Sequence, residues 1–530
     1  MGFIKFDILG ISTLQCIERC IELVLKRHEN YDEPEFKDIK AWYDKHLHPD
    51  VIDFENADVY KNTFHNENFA GVFQFTQGGM QKFCKNAVPN SLIDISAITS
   101  IYRPGPLGAN VDKMYVKAKR NNVISYGDLT GEALRCYKKH TEETFGYLIF
   151  QEQIALLAHE LGKNISLDDG NMLRKILVKI DIKTGIAGLA PDKKAKLEKY
   201  HKQFVLGCVE KGMTKDQAES LFKKFELFSK YGFNKSHAVA YSMLTYQCAW
   251  LLNYYPTEWM VSFLDKEPEK RKETAINLAR RHGFEINGVD INKSGHYWEI
   301  DPDDDKVLIQ PLNSIKGLGD AAILQIKNNR PFASVEELLF NDDIVYSKLN
   351  KKALDALTRS GALGCLVDER FTGLKHFWSA CVVDLPSPRT MKRLKRNIEM
   401  YAPEGEFSKH EKIEFLASLT GLFPYDMIIG DDVSAALEKR GIPPLGNWED
   451  QLGMAWFIPR EVIEKRTKNG KKYWIVNVLD NTSELTTIRC WGVHSKDKIH
   501  INRLYVGKLD RNDNWGFSVR SIARQLTLIA

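Results

Sequence analysis

The sequence has no run of eighteen or more apolar residues, so nothing in it reads as a membrane-spanning helix. It has no C-x-x-C pair, and its nine cysteines are scattered and odd in number, which argues against a zinc ribbon and against a disulfide framework. Cys16 and Cys20 share a helical face, but no His or Cys nearby completes a zinc set, and buried thiols are expected. That usage suits a reducing, cytoplasmic compartment. The first residues lack the basic, apolar and small-residue order of a signal peptide. Internal repeats and long low-complexity tracts are missing too. Net charge is only +4, so any case for nucleic acid rests on local clusters.

What is present is ordinary globular sequence, 43% hydrophobic and 27% charged, and too long for a single core. Three or four domains are expected. Residues 12–28 read as an amphipathic helix with Ser12 or Thr13 near its N-cap. Helical patterns dominate from about 60 to 265, broken by turns such as RPGPLG at 103–108. Phe145 to Leu161 reads as one helix or two. His237 to Asn253 is apolar almost all round, which marks a buried helix ahead of the Pro256 stop. After 265 come short strands in HYWEIDPDDDKVLIQPL, a compact helical segment at 312–365 and a mixed connector at 370–450. From 452 to 520 the chain turns β-rich, with a hairpin around Asn469-Gly470 and further strands that suit a small five-stranded barrel. The fold class is multidomain and mainly α, with a helix-hairpin-helix segment and a C-terminal β-barrel of OB type.

Asp7 interrupts the apolar run MGFIKFDILG. On a strand over Phe3–Leu9 it shares a face with Lys5, roughly 6–7 Å away. The pair is either an edge-strand ion pair or a metal-binding carboxylate with a cation for phosphate, and a lone Asp cannot hold two divalent ions. NMLRKILVK places Arg174, Lys175 and Lys179 on one broad helical face, about 140° wide from first to last. They form a plain surface or a triphosphate clamp. SIKGLG carries Lys316, Gly317 and Gly319, a tight glycine hairpin whose N–H groups and following helix suit a phosphate. Its alternative is a simple glycine C-cap. ALTRSGALG at 356–364 resembles a degenerate second hairpin. EKRTKNGKKYW sets Lys471 and Lys472 beside Tyr473 and Trp474, as single-strand-binding barrels do, or as any soluble hairpin with a buried Trp would. RTMKRLKR at 389–396 reads as a solvated helix face, and DPDDD at 301–305 as a solvated turn rather than a metal site.

Together, and in this order, KFDILG (5–10), GVFQF (71–75), IYRPGPL (101–107), FGYLIFQEQ (145–153), NMLRK (171–175), YGFNKSHAVAYS (231–242), GVDIN (288–292) and SIKGLG (314–319) resemble the C-family replicative DNA polymerases, the bacterial DNA polymerase III alpha subunit. The likeness runs from residue 3 to about 365 and continues more weakly through SLTGLFPYD and the barrel. It implies template-directed nucleotidyl transfer from deoxynucleoside triphosphates to primer-template DNA. Asp7 matches the third of three palm aspartates that bind two Mg2+ ions, and Lys5 a lysine near the incoming phosphates. Arg103, Arg174, Lys175 and Lys179 match the nucleotide-binding positions. No zinc and no organic cofactor is implied.

The resemblance also implies a division into a last palm strand and following helix (1–25), fingers (26–290), helix-hairpin-helix (291–370), connector (371–450), OB-fold (451–520) and tail (521–530). In that tail Gln525, Leu526, Leu528 and Ile529 resemble a sliding-clamp docking peptide at a free end. No P-D-x-D-x-D motif precedes Asp7. The expectation is therefore the C-terminal half of a split or truncated polymerase, phage-encoded or bacterial, acting in the cytoplasm with a separate N-terminal half. ILVKIDIK replaces the family's usual glycine–lysine run after the basic pair, which weakens the match beyond Lys175. The rival reading is a non-catalytic DNA-binding or clamp-binding accessory, against which the retained Asp7 argues.

Overall fold

The structure, a computed structural model, describes residues 11–529 except 122–125, 127–128, 181–187, 229–230, 385–389, 422–423, 449–451, 468, 481–485 and 513–515. Lys5, Asp7 and the strand expected around them lie outside the described residues. The chain forms two compact units, Met1–Trp259 and Met260–Ala530. Among the described residues no helix is long and apolar enough to cross a membrane.

The first unit is helical. The helix Ser12–His28 starts one residue earlier than a Ser12 cap would allow, since Ile11 holds the N-cap position, and it buries Ile17, Ile21 and Val24 along one stripe. The helix Lys235–Tyr254 is capped by Asn234, whose side chain accepts from the His237 N–H. Its apolar sequence is buried as expected, and several of its polar side chains find backbone partners: Thr245 donates to Phe73 O, Tyr246 to Asp53 O and Gln247 to Leu47 O. A second core, from Ala133 to Phe228, lies among the helices Gly131–Thr141, Gln151–Leu161, Leu167–Leu177, Pro191–Glu210 and Lys215–Phe228. Cys208 is buried there, and burial pushes its thiol up to about 12, which leaves it an inert packing group.

The run 145–150 does not continue the helix that follows it. Phe145 takes a left-handed φ of 53°, and Phe150 instead forms a parallel bridge with Phe233. The helix begins at Gln151, where Gln153 at the third position accepts from the Ile149 and Phe150 N–H groups.

In the second unit, β1 (Glu285–Asn287) pairs in parallel with β3 (Val307–Ile309), and β2 (Glu299–Ile300) pairs with β3 antiparallel. One core then runs from Val289 to Leu394, joining the helices Asp320–Asn329, Lys351–Arg359 and Met391–Tyr401. On the last of these only Leu394 and Asn397 are buried, so its basic residues form the solvated face that the sequence predicts.

The C-terminal strands close on themselves. β4 (Leu452–Arg466) pairs first with β7 (Tyr505–Asn512) and, from Ile458 onward, with β5 (Lys472–Leu479), the register shifting between Pro459 and Glu461. A bulge is where a proline without an N–H is tolerated. β6 (Thr486–Cys490) continues from β5 and runs parallel to β8 (Gly516–Val519), which returns to β7. The circuit β4-β5-β6-β8-β7-β4 is a five-stranded barrel, consistent with an OB fold. In the hairpin turn Gly470 takes φ 75° and Asn469 does not, so the connection is a longer loop rather than a two-residue turn.

The tail differs from the free docking peptide expected. Leu526–Leu528 forms β9, antiparallel to the stretch of β7 that β8 does not cover. Gln525 Oε1 accepts from the Arg520 and Ser521 N–H groups, Leu526 packs on the barrel core, and Ile529 N donates to Leu504 O. An unpaired strand edge recruits a neighbouring segment, and here the chain's own end supplies it.

Candidate functional site

Two of the predicted nucleotide residues, Arg103 and Arg174, are held in the first unit by the two partners of one backbone pairing, Phe233 and Gln151. The helices Gln151–Leu161 and Leu167–Leu177 pack closely where Gly170 faces Ala155. One turn after Gly170 and one turn before Ala155, Arg174 Nη1 donates to Gln151 Oε1 at 2.5 Å. The second helix is anchored by a capping box. Ser166 Oγ and N donate to the Asp169 carboxylate, and the Asp169 N–H returns a bond to Ser166 Oγ. Those Ser166 bonds, and the Tyr200 hydroxyl, hold the Asp169 carboxyl below its usual range.

Gln151 is fixed from the backbone as well. Its N–H donates to Phe233 O, while Phe233 N donates to Ile149 O. The ring of Phe233 carries the Arg103 guanidinium 4.6 Å from its centroid, and Arg103 Nη2 donates to Tyr231 O. Gly105 lets the turn after Arg103 approach so closely that a Cβ there would stand 3.0 Å from Tyr231 Cβ. Glu152 binds the start of the helix Lys235–Tyr254, accepting from Asn234 Nδ2 at 2.7 Å and Lys235 N at 2.9 Å. Lys235 Nζ reaches Glu143 at 2.6 Å. Gln151 and Glu152 thus tie their own segment to two others distant in sequence, those of Arg174 and of Phe233–Lys235, and the Arg103 turn joins them through Phe233 and Tyr231.

Of the predicted basic residues, Arg174 is half-buried and Lys175 exposed on the same helix. Lys179 is not on it. The helix ends at Leu177 and Lys179 lies in the following turn, so the shared-face geometry holds for Arg174 and Lys175 alone. Gln151, Glu152, Phe233 and Lys235 were missed by residue-type reasoning. The available signal was Gln153 at the third helical position, which places the helix start and puts Gln151 on its first turn.

In the second unit Lys316, Gly317 and Gly319 are exposed while Ile315 before them and Leu318 among them are buried, so the hairpin is pinned from beneath. Gly317 takes φ 96°, and Gly319 caps the helix Asp320–Asn329. The Lys316 N–H donates to Leu419 O, so this residue offers the hairpin its ammonium group rather than its backbone. Lys352 passes within 3.8 Å of where a Gly317 Cβ would sit and adds a second cation. Gly361 in the degenerate hairpin also has positive φ, 86°.

On the barrel, Lys471 and Lys472 are exposed at the hairpin end. Lys472 Nζ pairs with Glu464 at 3.0 Å and holds that carboxyl below its usual range, so part of its charge is already spent. Tyr473 stacks on Trp491 with centroids 4.6 Å apart, and Trp474 packs on the core. The aromatic partner of Tyr473 is therefore Trp491, the residue that follows β6. Among the described residues no group of three or more His, Cys, Asp or Glu side chains is set to hold a metal ion.

Residues 13–212 match the bacterial DNA polymerase III alpha subunit finger domain, and residues 283–372 match a helix-hairpin-helix motif. The chain is 30% identical over 369 residues to DNA polymerase III subunit alpha of Xylella fastidiosa strain Temecula1, covering 68% of this chain and 28% of that protein. Against the Thermus aquaticus subunit the identity is 29% over 374 residues, and against that of Escherichia coli K12 it is 28% over 376. The chain spans less than a third of the length of these relatives. The finger match covers the Gln151–Arg174 crossing, the helix-hairpin-helix match covers the Gly317 hairpin, and the chain belongs to the C family of DNA polymerases as an alpha-subunit-like protein.

Proposed function

We propose that this chain supplies the nucleotide-binding fingers and the DNA-holding parts of a template-directed DNA polymerase, working in the cytoplasm. The observation that carries the reading is the arrangement of Arg174 and Arg103, each held by one end of the same Gln151–Phe233 pairing. Two guanidiniums fixed on neighbouring elements suit a polyanionic substrate, because planar forks bind phosphate oxygens with little further ordering. In this reading Arg174 and the exposed Lys175 hold the triphosphate, with Lys179 and Lys5 near it, while Arg103 on Phe233 lines the nascent base pair.

Asp7 serves as one carboxylate for magnesium, together with acids from outside these 530 residues. When bound, the metal supplies activation of the primer hydroxyl and charge neutralisation at the departing pyrophosphate. Lys316, Gly317 and Gly319, with Lys352, grip the duplex backbone. The barrel, read as an OB-fold, meets single-stranded template through Lys471, Lys472 and the Tyr473–Trp491 stack. Sliding-clamp docking falls to the two outward side chains of the tail, Leu528 and Ile529, since Gln525 and Leu526 face inward.

Primer extension tests the reading. These 530 residues alone should extend nothing, because no P-D-x-D-x-D motif to supply the other metal-binding acids of this reading occurs in them. With the part that carries those acids, and with magnesium, extension should appear. Asp7→Asn should then lower its rate by several orders of magnitude with DNA binding intact. Full activity of the Asp7→Asn protein would refute the assignment.

A further inference from the structure

We infer that Gln151 is a positioning residue for the nucleotide phosphates, acting through the guanidinium of Arg174. The inference rests on the proposed polymerase reading and adds to it a residue that makes no phosphate contact of its own. The Gln151 amide is held at both ends: Oε1 accepts from Arg174 Nη1 at 2.5 Å, and Nε2 faces Glu152 Oε1 at 3.4 Å. Glu152 is itself fixed by Asn234 and Lys235 N, and the Gln151 backbone is paired with Phe233. The amide therefore has one orientation, with its carbonyl toward the arginine.

Arg174 is left incompletely satisfied, for its Nε is buried and has no hydrogen-bond partner. That buried Nε is closed to substrate, but the one side-chain bond the guanidinium makes among the described residues is to a neutral carbonyl, so its charge stays uncompensated and available to an anionic acceptor at its half-buried outer edge. A carboxylate at position 151 would neutralise it. A neutral carbonyl aligns it and leaves the charge for substrate. The same residue joins Arg174 to the Phe233 ring on which Arg103 rests, so both arginines take their places from one pairing.

The test is a double-mutant cycle on nucleotide KM in the assembled polymerase. Gln151→Ala should raise KM for all four nucleotides about tenfold with kcat little changed, because the guanidinium is no longer aligned. Thermal stability should be nearly unaltered, since the backbone pairing to Phe233 does not need the side chain. Gln151→Glu, which keeps the shape, should raise KM at least as much by pairing the charge. In an Arg174→Ala background neither change should have further effect. Additive losses, or an unchanged KM in Gln151→Ala, would overturn the positioning role. An Arg174→Ala protein with normal KM and normal kcat would instead overturn the triphosphate reading beneath it, so the two failures are told apart.

Discussion

Gly170 sits on the carbonyl oxygen of Ala155 so closely that a Cβ on the glycine would stand 2.4 Å from it. The obstacle is backbone, which cannot swing aside, and Ala155 C and Cα lie at 3.2 and 3.3 Å from the same point. Gly170→Ala should therefore push the helices Gln151–Leu161 and Leu167–Leu177 apart, at a cost of about 1–3 kcal/mol. Arg174 and Gln151, one turn away, should lose their contact. The expected result is a fall in melting temperature together with a higher nucleotide KM. A variant with unchanged stability and unchanged KM would show that the close approach does not hold the site.

The sequence made some of this visible and hid the rest for physical reasons. The helices at Ser12–His28 and Lys235–Tyr254 were readable because their burial follows a local period, one a stripe and the other nearly all round. The barrel hairpin was readable from alternation and the Gly470 turn. Phe145 to Phe150 was not, because its apolar pattern fits a helix while its true partner, Phe233, lies far along the chain. Strand pairing of that kind leaves no mark within a local window. The short strands β1 and β9 escaped for the same reason: three residues carry almost no periodicity, and their places are set by exposed edges of β3 and β7. Residue types pointed to Arg174, yet the side chain that orients it is a glutamine, whose role depends wholly on its neighbour.

Arg174→Ala should weaken use of all four deoxynucleotides alike, because a phosphate contact is blind to the base. The loss should fall mainly on KM, or on kcat where the contact tightens only in the transition state. Steady-state extension with each nucleotide in turn checks this. A loss confined to one nucleotide would contradict the triphosphate role.

At the Gly317 hairpin, charge and backbone can be tested separately. Lys316→Ala removes one exposed cation and should weaken duplex binding of any sequence, lowering the slope of log affinity against log salt by about 1. Gly317→Ala keeps the charge but places a Cβ at φ 96°, a strain of about 1–3 kcal/mol that distorts the turn. Both should reduce binding, but only Lys316→Ala should change the salt slope. Equal slopes for the two variants would argue against phosphate contact by Lys316.

The tail divides into an inward and an outward half, and the two halves should respond to different assays. Leu526 lies over Gly507, where a Cβ would meet Leu526 Cδ2 at 2.8 Å, and Gln525 Oε1 caps the turn at Arg520 and Ser521. Leu526→Ala should therefore destabilise the barrel, by about 1–3 kcal/mol for a side chain that is only partly buried. Deleting residues 524–530 should cost more, since it removes β9 and uncovers the edge of β7. Leu528 and Ile529 are 48% and 46% exposed, so Leu528→Ser with Ile529→Ser should leave the melting temperature within about 1–2 °C, as surface changes of roughly 0.5 kcal/mol do in a domain of this size. If these two side chains reach the sliding clamp, the double variant loses clamp-stimulated synthesis on long templates while short-primer extension stays normal. If it keeps full stimulation, the tail serves only to complete the barrel and the clamp contact lies elsewhere.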